Sequence, residues 1–235
     1  MGKSIAIITA RGGSKRIPKK NIREFCGKPI ISYAIQAALE SKVSDEIMVS
    51  TDSQEIAEIA KKYGANVPFI RSAETANDYA TTSEVLLEVI EEYEKRNQVF
   101  EYACCIYPTA PFITGEKLKI AIEKVKKGGI DTVIPVVAFS YPPQRGMILD
   151  KERIVLKWLE YINSRTQDLE IIYHDCGQFY SFRVDSFKIN KNLMIGNIAP
   201  MIFSELEVQD IDTEEDWRLA ELKYKLYREK MGNVL

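Results

Sequence analysis

Little in this 235-residue chain could hold a transition metal or form a disulfide framework. It has one histidine, His174, and four cysteines (Cys26, Cys104, Cys105, Cys176) with no C-x-x-C pair. A Cys/His zinc site is therefore not expected, and the adjacent Cys104 and Cys105 lie in an apolar run where packing is their natural role. No apolar run approaches the ~20 residues that span a bilayer. Met1-Gly2-Lys3 leads straight into an apolar segment, which leaves no room for a signal peptide. These absences read as a cytoplasmic protein with reduced thiols and no membrane partner. Net charge is also small, −2 at pH 7, so bulk binding of nucleic acid is not expected. Internal repeats, linkers and low-complexity segments are missing too, which points to one domain over 1–235.

What is present alternates. Residues 4–9 (SIAIIT) form a short continuous apolar run, as in a parallel strand covered on both faces. Pro29 to Leu39 has helical spacing, with Ile31, Ala34, Ile35 and Ala38 on one face and Pro29 suited to the first turn. Further strands are expected at 46–50, 66–70, 102–107 and 131–137. Helices are expected after Asp52-Ser53, over 81–96 with Val85, Leu86, Val89, Ile90 and Tyr93 in one stripe, and over 115–127. Such strand–helix alternation implies an α/β fold with a doubly wound, mostly parallel sheet. The rhythm breaks over 139–176, an aromatic and charged stretch that reads as an irregular or hairpin protrusion. A strand at 178–184 and a final helix follow, with Thr213 and Asp216 as a capping box and Trp217, Ala220, Tyr224, Tyr227 and Met231 on one stripe.

The densest chemistry follows the first strand. Between Arg11 and Arg23 stand six basic residues and no acidic one, with Gly12 and Gly13 among them. In an open parallel sheet, ligands bind outside the carboxyl ends of the strands. Backbone N–H groups at Gly12 and Gly13, with Ser14, Lys15 and Lys20, suit phosphate oxygens there. Neither G-x-x-x-x-G-K-[ST] nor G-x-G-x-x-G occurs, and the ordinary alternative is a solvated lysine-rich turn. Asp210-Ile211-Asp212 is the second constellation. Carboxylates two apart on an extended segment face one side and can share a hard cation such as Mg²⁺, unless Asp212 merely caps the last helix. Third, Tyr107-Pro108-Thr109-Ala110-Pro111 stiffens a loop at the same sheet edge. Fourth, Arg165 to Tyr180 surrounds His174-Asp175 with Gln167 and Gln178; no nucleophile accompanies them, and a polar substrate pocket fits better than a triad.

ARGGSKRIPKKN, STDSQEIA, YATTSE, YPTAPF and QDIDTEEDW stand in the order and spacing of the acylneuraminate cytidylyltransferases, a family the chain resembles over nearly its whole length. FSYPPQRG and SRTQDLEIIYHDCGQFY look most like the branch acting on pseudaminic acid. The resemblance implies a nucleotidyltransferase that joins CTP to a nine-carbon 2-keto sugar acid, releasing pyrophosphate. It implies Arg11, Gly12, Gly13, Ser14 and Lys15 at the phosphates, and Lys20, Asn21, Ala80, Thr81 and Thr82 completing the CTP site. Magnesium would sit on Asp210 and Asp212, which with Arg11 and Lys15 form the catalytic set. Tyr107, Arg145, Arg165, Gln167, His174, Asp175, Gln178 and Tyr180 would face the acceptor. The resemblance also implies a homodimer, with the 139–176 protrusion reaching the partner's site. Sialic acid or legionaminic acid is the alternative acceptor, and a silent nucleotide-sugar-binding homologue is the rival of another class. Two departures, Tyr107 where sialic acid enzymes carry Gln and Cys176-Gly177-Gln178 where they carry Asn-Gly-Ala, argue against plain N-acetylneuraminic acid.

Overall fold

A computed structural model describes residues 2–232. Met1, residues 233–235 and the side chain of Met231, the last member of the expected helical stripe, lie outside the described residues. Strand β1 (Ser4–Thr9) lies one strand in from an edge of the main sheet. Its alternate side chains feed two cores: Ala6 and Ile8 pack on one face, Ile5 and Ile7 on the other. That is why the run is apolar at every position. The basic loop follows, then a tight hairpin of β2 (Glu24–Phe25) and β3 (Lys28–Pro29). Cys26 (φ 46°) and Gly27 (φ 94°) turn it in left-handed conformations, as a two-residue hairpin turn requires. Helix α1 (Ile31–Ser41) therefore starts two residues later than the sequence pattern suggests, and Pro29 closes a strand instead of opening a helix.

Strand β4 (Glu46–Ser50) pairs in parallel with β1. Ser53 caps α2 (Gln54–Lys62), accepting from the Ile56 N–H. The expected strand at 66–70 reduces to one bridge, Met48 to Asn66; this stretch runs along β4 only at its start. A short helix α3 (Ala73–Ala76) and the long α4 (Thr82–Lys95) follow, the latter burying all five residues of its expected stripe. Strand β5 (Tyr102–Ile106) lies parallel to β1 on its other side. Helix α5 (Gly115–Lys126) leads to β6 (Thr132–Ala138).

The protrusion holds a two-stranded hairpin, β7 (Met147–Asp150) and β8 (Arg153–Leu156), then β9 (Tyr173–Asp175). Strand β10 (Phe179–Arg183) inserts antiparallel between β5 and β6. After helix α6 (Val184–Asn190), β11 (Ile198–Ile202) joins β6 in parallel, giving the order β11-β6-β10-β5-β1-β4. The stretch after β11 forms a 3-10 turn at Glu205–Glu207.

Strands β9 and β10 share one edge of β6, but not in step. Val133 pairs with Ser181 and Val136 with Asp175, so six steps on one strand oppose three on the other. The surplus residues are Cys176-Gly177-Gln178, a bulge with Gly177 at φ 60°. Helix α7 (Glu214–Gly232) closes the chain behind the Thr213–Asp216 capping box. Its Trp217 and Ala220 join Ile17, Phe25, Ile30, Tyr33 and Ile211 in a third core beneath the basic loop. Among the described residues, no helix is long and apolar enough to cross a membrane.

Candidate active site

All six cations of the basic loop have a carboxylate partner from a distant segment. Arg11 and Lys15 share Asp78, Arg16 and Lys20 share Asp212, Lys19 pairs with Glu55 and Arg23 with Glu214. None of these partners is near in sequence. The loop's backbone is braced as well. Asn21, buried, donates through Nδ2 to Arg11 O at 2.8 Å, and the Gly12 N–H donates to Asp52 Oδ1 at 2.7 Å. Asp52 thus steadies the loop and leaves the capping of α2 to Ser53. A Cβ on Gly12 would lie 3.1 Å from Ser53 Cβ, whereas one on Gly13 would meet nothing within 4 Å. Close approach explains the first glycine only.

A cavity of about 260 Å³ opens beside this loop. Arg11, Ser14, Lys15, Lys20 and Asn21 line it from the loop, and Ala80 and Thr82 from the start of α4. Gly12, Gly13 and Thr81 do not line it; Thr81 spends its hydroxyl on the α4 cap, accepting from the Glu84 N–H. Arg71 also lines the cavity. It is 6% exposed and fixed by Nε to Ser50 Oγ (3.0 Å) and a terminal nitrogen to Ser50 O (2.6 Å). Nothing in the sequence singled out this isolated arginine.

A second cavity, about 710 Å³, adjoins the first and shares Lys20, Tyr107 and Thr109 with it. Tyr107 is the hinge between them. Its hydroxyl lies 3.0 Å from Thr82 Oγ1 on the nucleotide side, and its ring meets Tyr180 edge-on at 5.8 Å. The Tyr180 hydroxyl donates to Asp175, whose other oxygen accepts the Gly177 N–H at 2.9 Å. Burial raises the pKa of both tyrosines, so both stay protonated donors at neutral pH. Cys176 also lines this cavity; burial, then the charge of Asp175, pushes its thiol up to about 12. His174 lines it too, with Phe139 packed on its ring at 4.6 Å.

Several expected acceptor residues are placed elsewhere. Arg165 is exposed and held by Asp168, Arg145 donates to Ser164 O, and Gln167 is exposed in the same protrusion. None of the three lines the cavity of its own chain. Gln178 is 1% exposed and turns inward from the bulge, donating through Nε2 to Glu207 O at 2.6 Å. A bulge aims consecutive side chains in directions that simple alternation does not foresee.

The turn that Gln178 grips carries the acid pair. Lys117 meets Glu207 at 2.9 Å between the rings of Phe203 and Tyr227, and Lys223 donates to Glu205 O and Val208 O. Beyond the turn the chain alternates as the sequence suggests. Ile211, 1% exposed, enters the third core, where full burial contributes about 1.5–3 kcal/mol. Asp210 and Asp212 stay outside it. Asp210 lines the larger cavity; Asp212 faces the loop, 2.8 Å from Arg16 and 3.5 Å from Lys20. Lys20 Nζ also holds Ile211 O at 2.7 Å, so it fastens the acid segment to the loop.

Comparison with known proteins gives the chain's relatives. The family model described as "Cytidylyltransferase" matches residues 5–155. The chain is 39% identical over 228 residues to the pseudaminic acid cytidylyltransferase of Campylobacter jejuni subsp. jejuni serotype O:2, covering 97% of this chain and 98% of that one. It is 34% identical to the CMP-N,N'-diacetyllegionaminic acid synthase of Legionella pneumophila, covering 97% and 98%. A solved CMP:2-keto-3-deoxy-manno-octonic acid synthetase, complexed with CTP, superimposes with a TM-score of 0.70 at 17% identity, covering 97% of this chain and 99% of that one. At that identity the likeness is one of fold.

Proposed function

The chain belongs to the cytidylyltransferase family, and from that premise we propose that it transfers a cytidylyl group from CTP to pseudaminic acid, giving CMP-pseudaminic acid and pyrophosphate. One observation carries the reading. A cation-lined cavity and a larger cavity meet at Lys20, Tyr107 and Thr109, on the carboxyl edge of the sheet; Asp210 lines the larger, and Asp212 pairs with Arg16 and Lys20, which line the smaller. The identity to a pseudaminic acid cytidylyltransferase supports this acceptor.

In this reading CTP lies in the smaller cavity, its cytidine against Ala80 and Thr82 and its phosphates on Arg11, Ser14 and Lys15. The sugar acid lies in the larger one, bounded by Tyr107, His174, Asp175 and Tyr180. Its anomeric oxygen attacks the α-phosphorus, a new O–P bond forms, and the bond to the β-phosphate oxygen breaks. Arg11 and Lys15 oppose the charge that grows on the departing pyrophosphate. The hydroxyl proton leaves at the acid segment, with Asp210 or Asp212 assisting. Little covalent work falls to the protein; positioning and neutralisation do most of it.

The donor set fits a magnesium ion. Among the described residues no group of three or more His, Cys, Asp and Glu forms a cage, but magnesium beside phosphates usually takes only one or two carboxylates. Asp210 and Asp212 would hold it, and when bound it would neutralise phosphate charge and acidify the acceptor hydroxyl.

The protrusion suits a homodimer. Its β7–β8 hairpin exposes Met147, Ile148, Leu149, Ile154 and Val155, and an isolated two-stranded hairpin is marginal in water. Arg145, Arg165 and Gln167, which miss their own cavity, are then available to the partner's. The reduced thiols and the nucleotide substrate suit work in the cytoplasm.

The test is direct. Purified protein is given CTP and Mg²⁺ with pseudaminic, legionaminic or N-acetylneuraminic acid, and pyrophosphate and product mass are followed. Preferred turnover of pseudaminic acid is the expected result. Preference for another acid moves the acceptor assignment, and no turnover with any of them overturns the transfer.

A further inference from the structure

Of the four carboxylates that neutralise the basic loop, Asp78 is placed unlike the rest. Glu55 and Glu214 each hold a single cation, Lys19 and Arg23. Asp212 belongs to the acid segment that Ile211 anchors in the core. Asp78 alone bridges the two cations, Arg11 and Lys15, that the phosphate reading needs free. It sits at the tip of the turn between α3 and α4, where Ala80 and Thr82 line the smaller cavity.

That turn does not depend on the two ion pairs for its shape. Asn77 Oδ1 accepts the N–H groups of Tyr79 (2.7 Å) and Ala80 (3.0 Å), and Asn77 Nδ2 donates to Glu74 O. Glu88 holds its start through Ser72 and Thr75, and the Thr81 cap holds its end. Tyr79 beside the carboxylate is 93% exposed and packs on nothing. Asp78 can therefore let go of Arg11 and Lys15 by rotating its side chain, with the backbone undisturbed. Both pairs are solvent-exposed, with Lys15 at 79% and Asp78 at 37%, and exposed pairs are weak.

We propose that Asp78 is an internal competitor for the polyphosphate site: it occupies Arg11 and Lys15 until a ligand with adjacent phosphates displaces it, and it reclaims them as pyrophosphate departs. This rests on the nucleotide-site reading above. A bidentate carboxylate bridging two cations is displaced by a group that can also bridge them with more charge, so a di- or triphosphate succeeds where a simple monoanion does not. Selectivity for polyphosphate and easy product release then follow from one residue.

The experiment compares wild type with Asp78→Asn, which keeps the shape and removes the charge, and with Glu55→Gln, which removes a charge from the same loop outside the cavity. Calorimetry would measure binding of CTP, inorganic pyrophosphate and cytidine. D78N is expected to bind CTP and pyrophosphate about three- to tenfold more tightly, with cytidine unchanged and E55Q within about twofold of wild type. In the Lys15→Ala background the gain from D78N should shrink, because part of the competition is already gone. Weaker binding of CTP by folded D78N would overturn the proposal and make Asp78 a positioning residue. An equal gain from E55Q, or an undiminished one in K15A, would reduce it to general electrostatics. The pyrophosphate arm needs neither cytidine nor sugar, so its outcome stands apart from any failure of the transfer reading.

Discussion

The two cavities at the sheet edge are built by opposite strategies. The smaller takes most of its charge from one stretch of 13 residues, Arg11 to Arg23, set out by ion pairs to four remote carboxylates. The larger gathers its residues from six places: Lys20 of the basic loop, the β5 loop, the end of β6, the bulged β9–β10 edge, the 205–210 turn and α7. A polyphosphate asks for dense charge, which a single loop supplies locally. A sugar acid asks for donors and acceptors approaching from several directions, which only a folded surface provides. One cavity is consequently written almost contiguously, the other scattered.

Cutting the contiguous side should do the most damage. Lys15→Ala is expected to lower kcat/KM by about 10²–10³-fold with little change in acceptor KM; a loss below threefold in steady-state kinetics would take Lys15 out of the triphosphate site. The scattered side should be damaged across a dimer interface. Arg165→Ala is expected to raise the acceptor KM about tenfold, the scale of one lost arginine–carboxylate contact. Heterodimers of R165A with K15A should then regain activity, since one site would combine an intact Lys15 with an intact partner arginine. Absence of complementation would confine Arg165 to its own chain.

Tyr107→Phe tests the join. It removes the hydrogen bond to Thr82 but keeps the ring against Tyr180, so about a two- to fivefold effect, shared between the KM values for CTP and acceptor, is expected. An effect on one substrate alone would place Tyr107 wholly in that substrate's site. The smallest effect concerns Cys176. With its thiol pushed up to about 12, almost no thiolate exists at pH 8, and native alkylation should run more than about 100-fold slower than in the unfolded chain. A raised folded value also means that stability is full below the unfolded thiol's ~8.5 and is lost as pH climbs from there toward 12. Fast alkylation of Cys176 at pH 8 would show a looser bulge.

How legible each region was in sequence follows the same division. The first strand is a continuous apolar run and the basic loop a local cluster of charge, while the α4 stripe and the Asp210-Ile211-Asp212 alternation obey periods of 3.6 and two; all are signals within one stretch of chain, and the structure keeps them. The mostly parallel sheet was equally readable from strand–helix alternation. Pairing between distant charges has no period, so Asp78, Asp52 and Glu214 gave no sign of their partners. Arg71 is buried by tertiary packing that a single arginine cannot announce. Nearness to His174-Asp175 and the resemblance place Gln178 with the acceptor, but the three surplus residues Cys176-Gly177-Gln178 turn it inward to Glu207 O. Pro29 suited a helix start, but the left-handed Cys26-Gly27 turn claimed it for a hairpin.

The third core has a consequence for how the protein comes into being. Ile17 from the basic loop and Ile211 from the acid segment meet there, 194 positions apart, under Trp217. During synthesis the loop emerges well before the acid segment that pairs with part of it. A nascent chain made only as far as residue 205 would carry the six cations with Asp212 and Glu214 still absent. A copy that stops short of residues 210–214 has the basic loop without two of the four carboxylates that pair with it.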